Sequence, residues 1–454
     1  MDPPAKRAYV LSLGCATNRV DAETTRNHLR QAGYVMANSP ETADMVVVNT
    51  CAFTRERLAA SRAALAECRR RAPLARVIAG GCVPAIAPGT LAEAGPFEIL
   101  QPKDLGEGLA RLAPPRGIMS PLPASVVDAE GGRVHVRIST GCRDRCTYCS
   151  IWRAAGRTAS LPVDHIIADA RMWLSKGEKL ICLVSEDVGA WGQDRGQNLS
   201  DLLRALGEAR LGVPLRLGNI HPRWLSQITD ALAEAIHADV IEPVLHLPLQ
   251  SGSSRILARM GRRYSASEYA SWLLRLRQRV PDLRLVTDVI AGFPGEEPAD
   301  LAATLALLRA VRADEVCVFP FAVQELTAAA ALPGQLSEAD RTGRAMFLVS
   351  RLLDDDYQRS GAGTWADYFV RLQATDRYPV RTALPPPELA KALQRDRAEV
   401  VVYLGNRAVE RDVEQLAVRL QRIMEDPGYA HALLEEKEDG GRTRDFARAW
   451  LEAT

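Results

Sequence analysis

The sequence predicts an α/β protein in three parts: an N-terminal doubly wound parallel-sheet domain, a central partial (β/α)6 barrel, and a small α+β C-terminal domain. Three observations carry that expectation. Short apolar runs alternate with helical patterns in two successive series, and βαβα order implies parallel sheets. A proline-rich stretch, "LAPPRGIMSPLPAS" (Leu112 to Ser125), separates the two series and reads as a linker. The pattern changes again near Gly361. The expected boundaries are 1–111, a linker over 112–130, 131–360 and 361–454.

In the first series, "YVLSLG", "MVVVNT" and "RVIAGG" read as strands, and Asp21 to Ala32 and Arg55 to Arg71 as helices. The second series offers strands at Val134–Ile138, Leu180–Val184, Leu215–Leu217, Val244–Leu247, Leu285–Ile290 and Glu315–Phe319. Helical patterns lie between most of them, which suits a partial barrel of about 230 residues. Beyond Gly361, "ALPPPELAK" reads as a break and "EVVVYLG" (Glu399 to Gly405) as a strand. A helix then follows, with Val413, Leu416, Leu420 and Ile423 on one face.

The chain has 454 residues, too many for one compact domain. Hydrophobic content is 47 % and charged content 25 %, ordinary for soluble globular protein. The net charge of +1 gives no global footprint for nucleic acid, and the basic run Arg69, Arg70 and Arg71 reads as a solvated helix end. No apolar run reaches the roughly 20 residues of a membrane span. The N-terminus lacks a signal peptide's apolar region, so the expected location is cytoplasmic. Nine cysteines in a reducing compartment point to metal or catalysis rather than disulfides.

Their placement is specific. "GCRDRCTYC" concentrates Cys142, Cys146 and Cys149 just past the first expected barrel strand, at the end where barrel active sites lie. Structural zinc usually takes four protein ligands, and no fourth is local. A cubane cluster held by three cysteines keeps one iron open. Cys15, Cys51 and Cys82 each lie just past an expected parallel strand, and the C-terminal strand ends of a doubly wound sheet open onto one edge. Three distant thiols can therefore converge. Cys68, Cys182 and Cys317 show no such pattern and read as packing.

The Cys-x-x-x-Cys-x-x-Cys spacing resembles the radical S-adenosylmethionine (SAM) superfamily. With the second trio in this order, the chain resembles the methylthiotransferases over roughly residues 8 to 355. "LGCATNRVDAE", "ADMVVVNTCAF" and "GGCVP" look like that family's N-terminal domain; "ISTGCRDRCTYCSI", "SEDVGAWGQD", "LHLPLQSGSSRILARMGRRY" and "VTDVIAGFPGE" look like its barrel. The resemblance implies two 4Fe–4S clusters, SAM, and a C–S bond-forming transfer of a methylthio group to an unactivated carbon. Cys142, Cys146 and Cys149 would hold the cluster that binds and cleaves SAM. Cys15, Cys51 and Cys82 would hold the auxiliary cluster that carries the sulfur. A reductant such as flavodoxin or ferredoxin is the implied partner.

The same resemblance implies SAM contacts. Tyr148 would pack on the adenine. Glu186 would accept from the SAM ammonium, where relatives usually have glutamine. Arg216 would pair with the SAM carboxylate. Gln250, Ser251 and Ser253 would line the ribose and methionine region, and Gly292 and Gly295 would allow close backbone approach. His246 is a candidate contact, more readily read as structural.

The departures bear on the substrate. Trp152 stands where the family often has proline, Ala155 precedes Gly156 in place of arginine, and Gln324 stands where an arginine is common. Residues 361 to 454 show no recognisable TRAM barrel, the domain that docks macromolecules in these enzymes. The leading expectation is therefore a peptide or small-molecule substrate. A tRNA adenosine, which "LRLGNIHPRWL" supports, and sulfur insertion without the methyl group are the alternatives.

Overall fold

The computed structural model describes residues 5–52, 55–94, 97–115, 124–128, 132–324, 326–361 and 380–382. The N-terminal sheet has five parallel strands: β1 (Arg7–Ser12), β2 (Val35–Met36), β3 (Met45–Thr50), β4 (Arg76–Gly81) and β5 (Glu98–Leu100), in the order β2-β1-β3-β4-β5. α1 (Ala16–Gln31) follows β1 and α2 (Arg55–Arg71) follows β3. Every residue of β3 is buried, as a central strand covered on both faces requires. Val47 and Ile78 pack on one face of the sheet, Val46 and Val48 on the other. The helices α3 (Val83–Ile86), α4 (Pro88–Ala94) and α5 (Leu105–Leu112) complete the layers. The short strands β2 and β5 carry too few residues to show a period in the sequence.

The first departure from expectation lies in the linker. Ser125–Asp128 forms β6, antiparallel to β7 (Arg133–Arg137). Two adjacent valines make this local strand: Val127 packs on the barrel core, while Val126 joins Val20 and Ala16 of α1. The first barrel edge is thus covered by a strand that itself lies against α1.

The barrel runs β7, then β10 (Ile181–Val184), β11 (Arg216–Leu217), β12 (Val244–His246), β13 (Arg284–Ala291) and β14 (Glu315–Pro320). All successive pairs are parallel, with bridges Leu215 to Ile241 and Asn219 to His246 joining β11 to β12. A short ribbon, β8 (Ser139–Thr140) and β9 (Ala159–Ser160), closes the loop after β7. The helices are α6 (Ile151–Ala155), α7 (Val163–Ser175), α8 (Leu199–Ala209), α9 (Leu225–His237), α10 (Ser254–Arg259), α11 (Ala266–Arg279), α12 (Pro298–Ala310) and α13 (Glu338–Ser360). Leu285, Val289 and Ala291 of β13 point to this helical layer, so the alternate residues Asp288 and Ile290 face inward. The expected (β/α)6 pattern is therefore the architecture found.

The sheet extends past the expected sixth strand, because β15 (Val380–Thr382) pairs parallel with β14. This strand falls inside the segment assigned to the C-terminal domain, so that segment contributes to the barrel sheet. The expected strand at 399–405 and the helix face at 413–423 lie outside the described residues.

Among the described residues, an ion pair joins the two parts. Arg137, at the end of β7, donates from Nη1 to Asp21 of α1 at 2.5 Å and from Nη2 to the Thr17 carbonyl at 2.7 Å. Both side chains are buried. Removing one partner strands a buried charge, whereas removing both does not. Urea denaturation of Arg137→Met or Asp21→Leu should each show a loss of about 3–5 kcal/mol, with the double variant well short of the sum.

Candidate active site

The N-terminal cysteines stand where three adjacent strands end. Cys51 directly follows β3 and Cys82 directly follows β4; Cys15 lies three residues past β1 and opens α1. Neighbouring strands are about 4.8 Å apart, so this register alone gathers the three backbones within about 10 Å. Asn18 ties the group together, its amide reaching the Thr50 carbonyl at 3.2 Å and the Cys82 sulfur at 3.8 Å. Asn49 donates to the Asn18 carbonyl at 2.5 Å. Gly81 has φ +80, and a Cβ there would stand 2.3 Å from the Thr50 carbonyl oxygen, so glycine is required beside Cys82. Cys15 is exposed, Cys51 buried and Cys82 intermediate.

The barrel cysteines lie on the loop after β8. Backbone bonds fix it at several points: Cys142 N–H to the Gly156 carbonyl at 3.1 Å, Thr147 N–H to the Met260 carbonyl at 2.9 Å, and Ala329 N–H to the Thr147 carbonyl at 2.8 Å. Arg262 reaches Cys146 Sγ at 3.6 Å. α6, which follows Cys149, packs on α3, which follows Cys82. Ala154 of α6 is fully buried in the same cluster as Val83 and Ile86.

Charged groups line the interval between the trios. Burial raises the Cys82 thiol well above its usual range, and Cys15, Cys51, Asp21 and Glu186 beside it push it further. Glu186, from the opposite domain, accepts from the Gly141 N–H at 2.8 Å, and burial raises its carboxyl. Arg137 lies close to Asp21, Glu186 and Cys15. The chain Asp21, Arg137, Glu186 therefore runs from one cysteine site to the other.

The remaining expected residues divide. Gln250 is buried, holds φ +71 and leaves its Oε1 without a partner, the mark of a strained acceptor awaiting a ligand. Tyr148 packs beside Phe293 and Ile256, and its hydroxyl accepts from Arg262 at 3.4 Å. Arg216 is held by Glu242 at 2.5 Å, so pairing with a SAM carboxylate requires an exchange of partners. Ser253 Oγ donates to Asp300 at 2.6 Å and accepts from the Ile256 N–H of α10. Ser251 Oγ accepts from the Ser253 N–H at 3.2 Å. These two hydroxyls shape the loop around Gln250. Gly292 has φ +77, and the space beside it holds Arg341, so its small size admits that arginine. His246 Nε2 lies 3.0 Å from Asp288 Oδ2 across the inner face of the barrel. Gln324 accepts from Ser150 Oγ at 2.8 Å, one residue past Cys149.

The donor sets fit clusters better than single ions. One tetrahedral zinc at about 2.3 Å from each sulfur needs sulfurs about 3.8 Å apart. Among the described residues, neither cysteine trio lies within 4.8 Å; the set that does is Cys142, Asp144 and Asp187. Its carboxylates are already engaged, Asp187 by Trp224 Nε1 at 2.7 Å and Asp144 by Arg223 at 3.0 Å. Burial pushes the Cys149 thiol up to about 12, with Cys146 adding to it, and raises Cys142 likewise. Coordination to iron deprotonates such thiols outright.

Residues 7–100 match a family described as uncharacterized protein family UPF0004, and residues 136–308 match the radical SAM superfamily. The chain is 32 % identical over 341 residues to the tRNA-2-methylthio-N(6)-dimethylallyladenosine synthase of Chloroflexus aurantiacus, covering 72 % of each. It belongs to the radical SAM methylthiotransferase family. It is 32 % identical over 364 residues to the ribosomal protein uS12 methylthiotransferase RimO of Syntrophomonas wolfei, covering 75 % of this chain and 82 % of that one. It is 28 % identical over 378 residues to a probable threonylcarbamoyladenosine tRNA methylthiotransferase of Methanothermobacter thermautotrophicus, covering 80 % and 88 %. Among solved structures, the radical SAM methyltransferase TsrM of Kitasatospora setae matches with TM-score 0.55 at 14 % identity, covering 72 % of this chain and 77 % of that one, a likeness of fold. Methylthiotransferases of this family use SAM and two 4Fe–4S clusters. No helix among the described residues is long and apolar enough to cross a membrane.

Sequence reasoning missed Asp21, Arg137, Arg262 and His221. Asp21, Arg262 and His221 lay inside quoted motifs, but only the fold shows what each faces. His221 is buried against Tyr264, its Nδ1 accepts from the Arg223 N–H at 3.3 Å, and Nε2 stands 3.6 Å from Asp144. Burial holds its imidazole well below the ordinary value, and Arg262, Arg223 and Arg263 add to this. The native histidine stays neutral, so acidification protonates the unfolded chain first, and stability falls as pH drops below about 6.5. Between about pH 7 and about pH 5, wild type should lose about 2 kcal/mol more than His221→Gln in urea titrations.

Proposed function

We propose that this enzyme transfers a methylthio group to an unactivated carbon of a peptide or small molecule held between the two cysteine sites. The observation that carries the reading is the packing of α6 on α3, with Asp21, Arg137 and Glu186 between the trios. Cys142, Cys146 and Cys149 would hold the SAM-binding cluster, and Cys15, Cys51 and Cys82 the auxiliary one. When bound, SAM and the clusters would supply a carbon-centred radical and the sulfur for the new bond. The chain's own residues bind and orient. Glu186 offers a carboxylate to the SAM ammonium, Gln250 its free Oε1, and Tyr148 a ring at the mouth. The Arg137–Asp21 pair holds the sites facing each other, which keeps a reactive carbon close to its sulfur donor.

Gln324 supports the choice of substrate. It is neutral and bonded to Ser150 where the family resemblance leads one to expect an arginine, which removes a charge for gripping an anion. Identities of 32, 28 and 32 % to the three relatives single out none of their substrates. A second reading, a tRNA adenosine, draws on the cluster loop. Arg145 and Arg153 lie 3.7 and 4.7 Å from the Trp152 ring, both exposed and able to meet phosphate. A reductant of the flavodoxin or ferredoxin class would supply the electron.

Anaerobically reconstituted enzyme with SAM, reductant and unmodified bulk tRNA separates these readings by mass spectrometry. 5′-Deoxyadenosine without methylthio-nucleosides supports the first; methylthio-adenosines overturn it in favour of tRNA. Replacing Cys15, Cys51 and Cys82 together by alanine should leave about four irons per chain and preserve 5′-deoxyadenosine formation. The same variant should abolish every methylthio product.

A further inference from the structure

Among the described residues, three arginines are buried: Arg137, Arg262 and Arg341. Arg137 has Asp21 as its counter-charge. Arg341 gives its donors to the Phe321 and Ser337 carbonyls. Among the described residues Arg341 also lacks a carboxylate partner, its donors being met by those carbonyls; Arg262 differs in turning one Nη to the Cys146 thiol. Its Nε donates to Tyr264 Oη at 3.0 Å and its Nη2 to the Pro248 carbonyl at 2.6 Å. Its Nη1 points to Cys146 Sγ at 3.6 Å and to Tyr148 Oη at 3.4 Å. Among the described residues, its partners are a phenol, a carbonyl, a thiol and a second phenol, with no carboxylate. A buried guanidinium without a carboxylate is costly unless another anion answers it. The group within reach that becomes anionic is the Cys146 sulfur, once it is a metal ligand.

The surroundings hold the guanidinium in place. Tyr264 Oη also bonds the Pro248 and Leu249 carbonyls, which fixes the far end of the fork. The same carbonyls lead into Gln250, so Arg262 ties the cysteine loop to the strained segment after β12. Gly261, just before it, lies against the Cys146 backbone.

We propose that Arg262 is the counter-ion of the barrel cluster and a positioning residue that raises its reduction potential. The inference rests on the assignment of Cys142, Cys146 and Cys149 as that cluster's ligands. Reduction adds one electron, supplied by an external one-electron donor such as a ferredoxin or flavodoxin, and breaks no bond of the chain. The added negative charge spreads onto the ligand sulfurs. A fixed donor and positive charge at Cys146 favour the reduced state, because hydrogen bonds to sulfur and local charge set such potentials.

The test is an anaerobic redox titration of the reconstituted enzyme, following the reduced signal whose electron paramagnetic resonance spectrum changes when SAM is added. Wild type without any SAM-responsive signal would overturn the ligand assignment itself. With that signal present, Arg262→Gln should lower the ratio of reduced to oxidised cluster about tenfold at fixed potential, a shift of about 59 mV for one electron. Arg262→Lys keeps a charge but loses the fork, and should lower the ratio about threefold. Should Arg262→Gln fail to retain iron, Arg262→Lys decides alone. A variant that loads its iron yet titrates with wild type overturns the proposal, since a scaffold role would alter iron retention and melting temperature but leave the potential in place.

Discussion

The buried pair between Arg137 and Asp21 is the contact on which the rest of the architecture depends. It links the end of the first barrel strand to the first helix of the N-terminal sheet, and both elements carry on into cysteine-bearing loops. Cys15 opens that helix; Cys142 lies a few residues past that strand. A charge pair at this point cannot slide as an apolar contact can, because Nη1 and Nη2 of the guanidinium each have their own acceptor. The facing of the two thiol sites is thereby fixed by hydrogen-bond geometry, while Val20, Val126 and Val184 add packing around it.

Around that joint, polar groups are used for shape more than for reach. Ser251 and Ser253 turn their hydroxyls into the scaffold, Asn18 and Asn49 cross-link the loops beyond β1 and β3, and Thr147 is bonded on both sides by backbone. Several buried polar atoms of the described residues keep no hydrogen-bond partner, among them Gln250 Oε1, Asn18 Oδ1, Arg137 Nε and His246 Nε2. Buried polar groups are ordinarily matched, so each of these atoms marks a place where water or a ligand can bind.

Much of this was legible in the sequence. The run Met45–Thr50 is apolar enough to announce a central strand, and β3 has those bounds. The six barrel strands fall within a residue or two of where β-branched runs place them. The cysteines were legible because chemistry demands a residue type at a spacing. Less visible was anything decided across the chain. Arg216 carries the right residue type for a carboxylate partner, yet Glu242 from the next strand end reaches it first. Arg262 sits in a basic pair with Arg263, and it is the fold, with Gly261 packed on the cysteine loop, that shows it buried. Ser125–Asp128 looked like linker because prolines precede it, while the surface that makes it a strand comes from α1 and β7.

That last strand makes the barrel inseparable from the sheet before it. β6 ends the barrel sheet on one side with a four-residue ribbon, and α1 lies over it. Cut away from the N-terminal part, the barrel would present this ribbon bare, Val126 outward, as a template on which another chain could add its own strand. The auxiliary cysteine domain therefore doubles as an edge guard. The chemistry of two clusters and the solubility of one barrel are secured by the same helix.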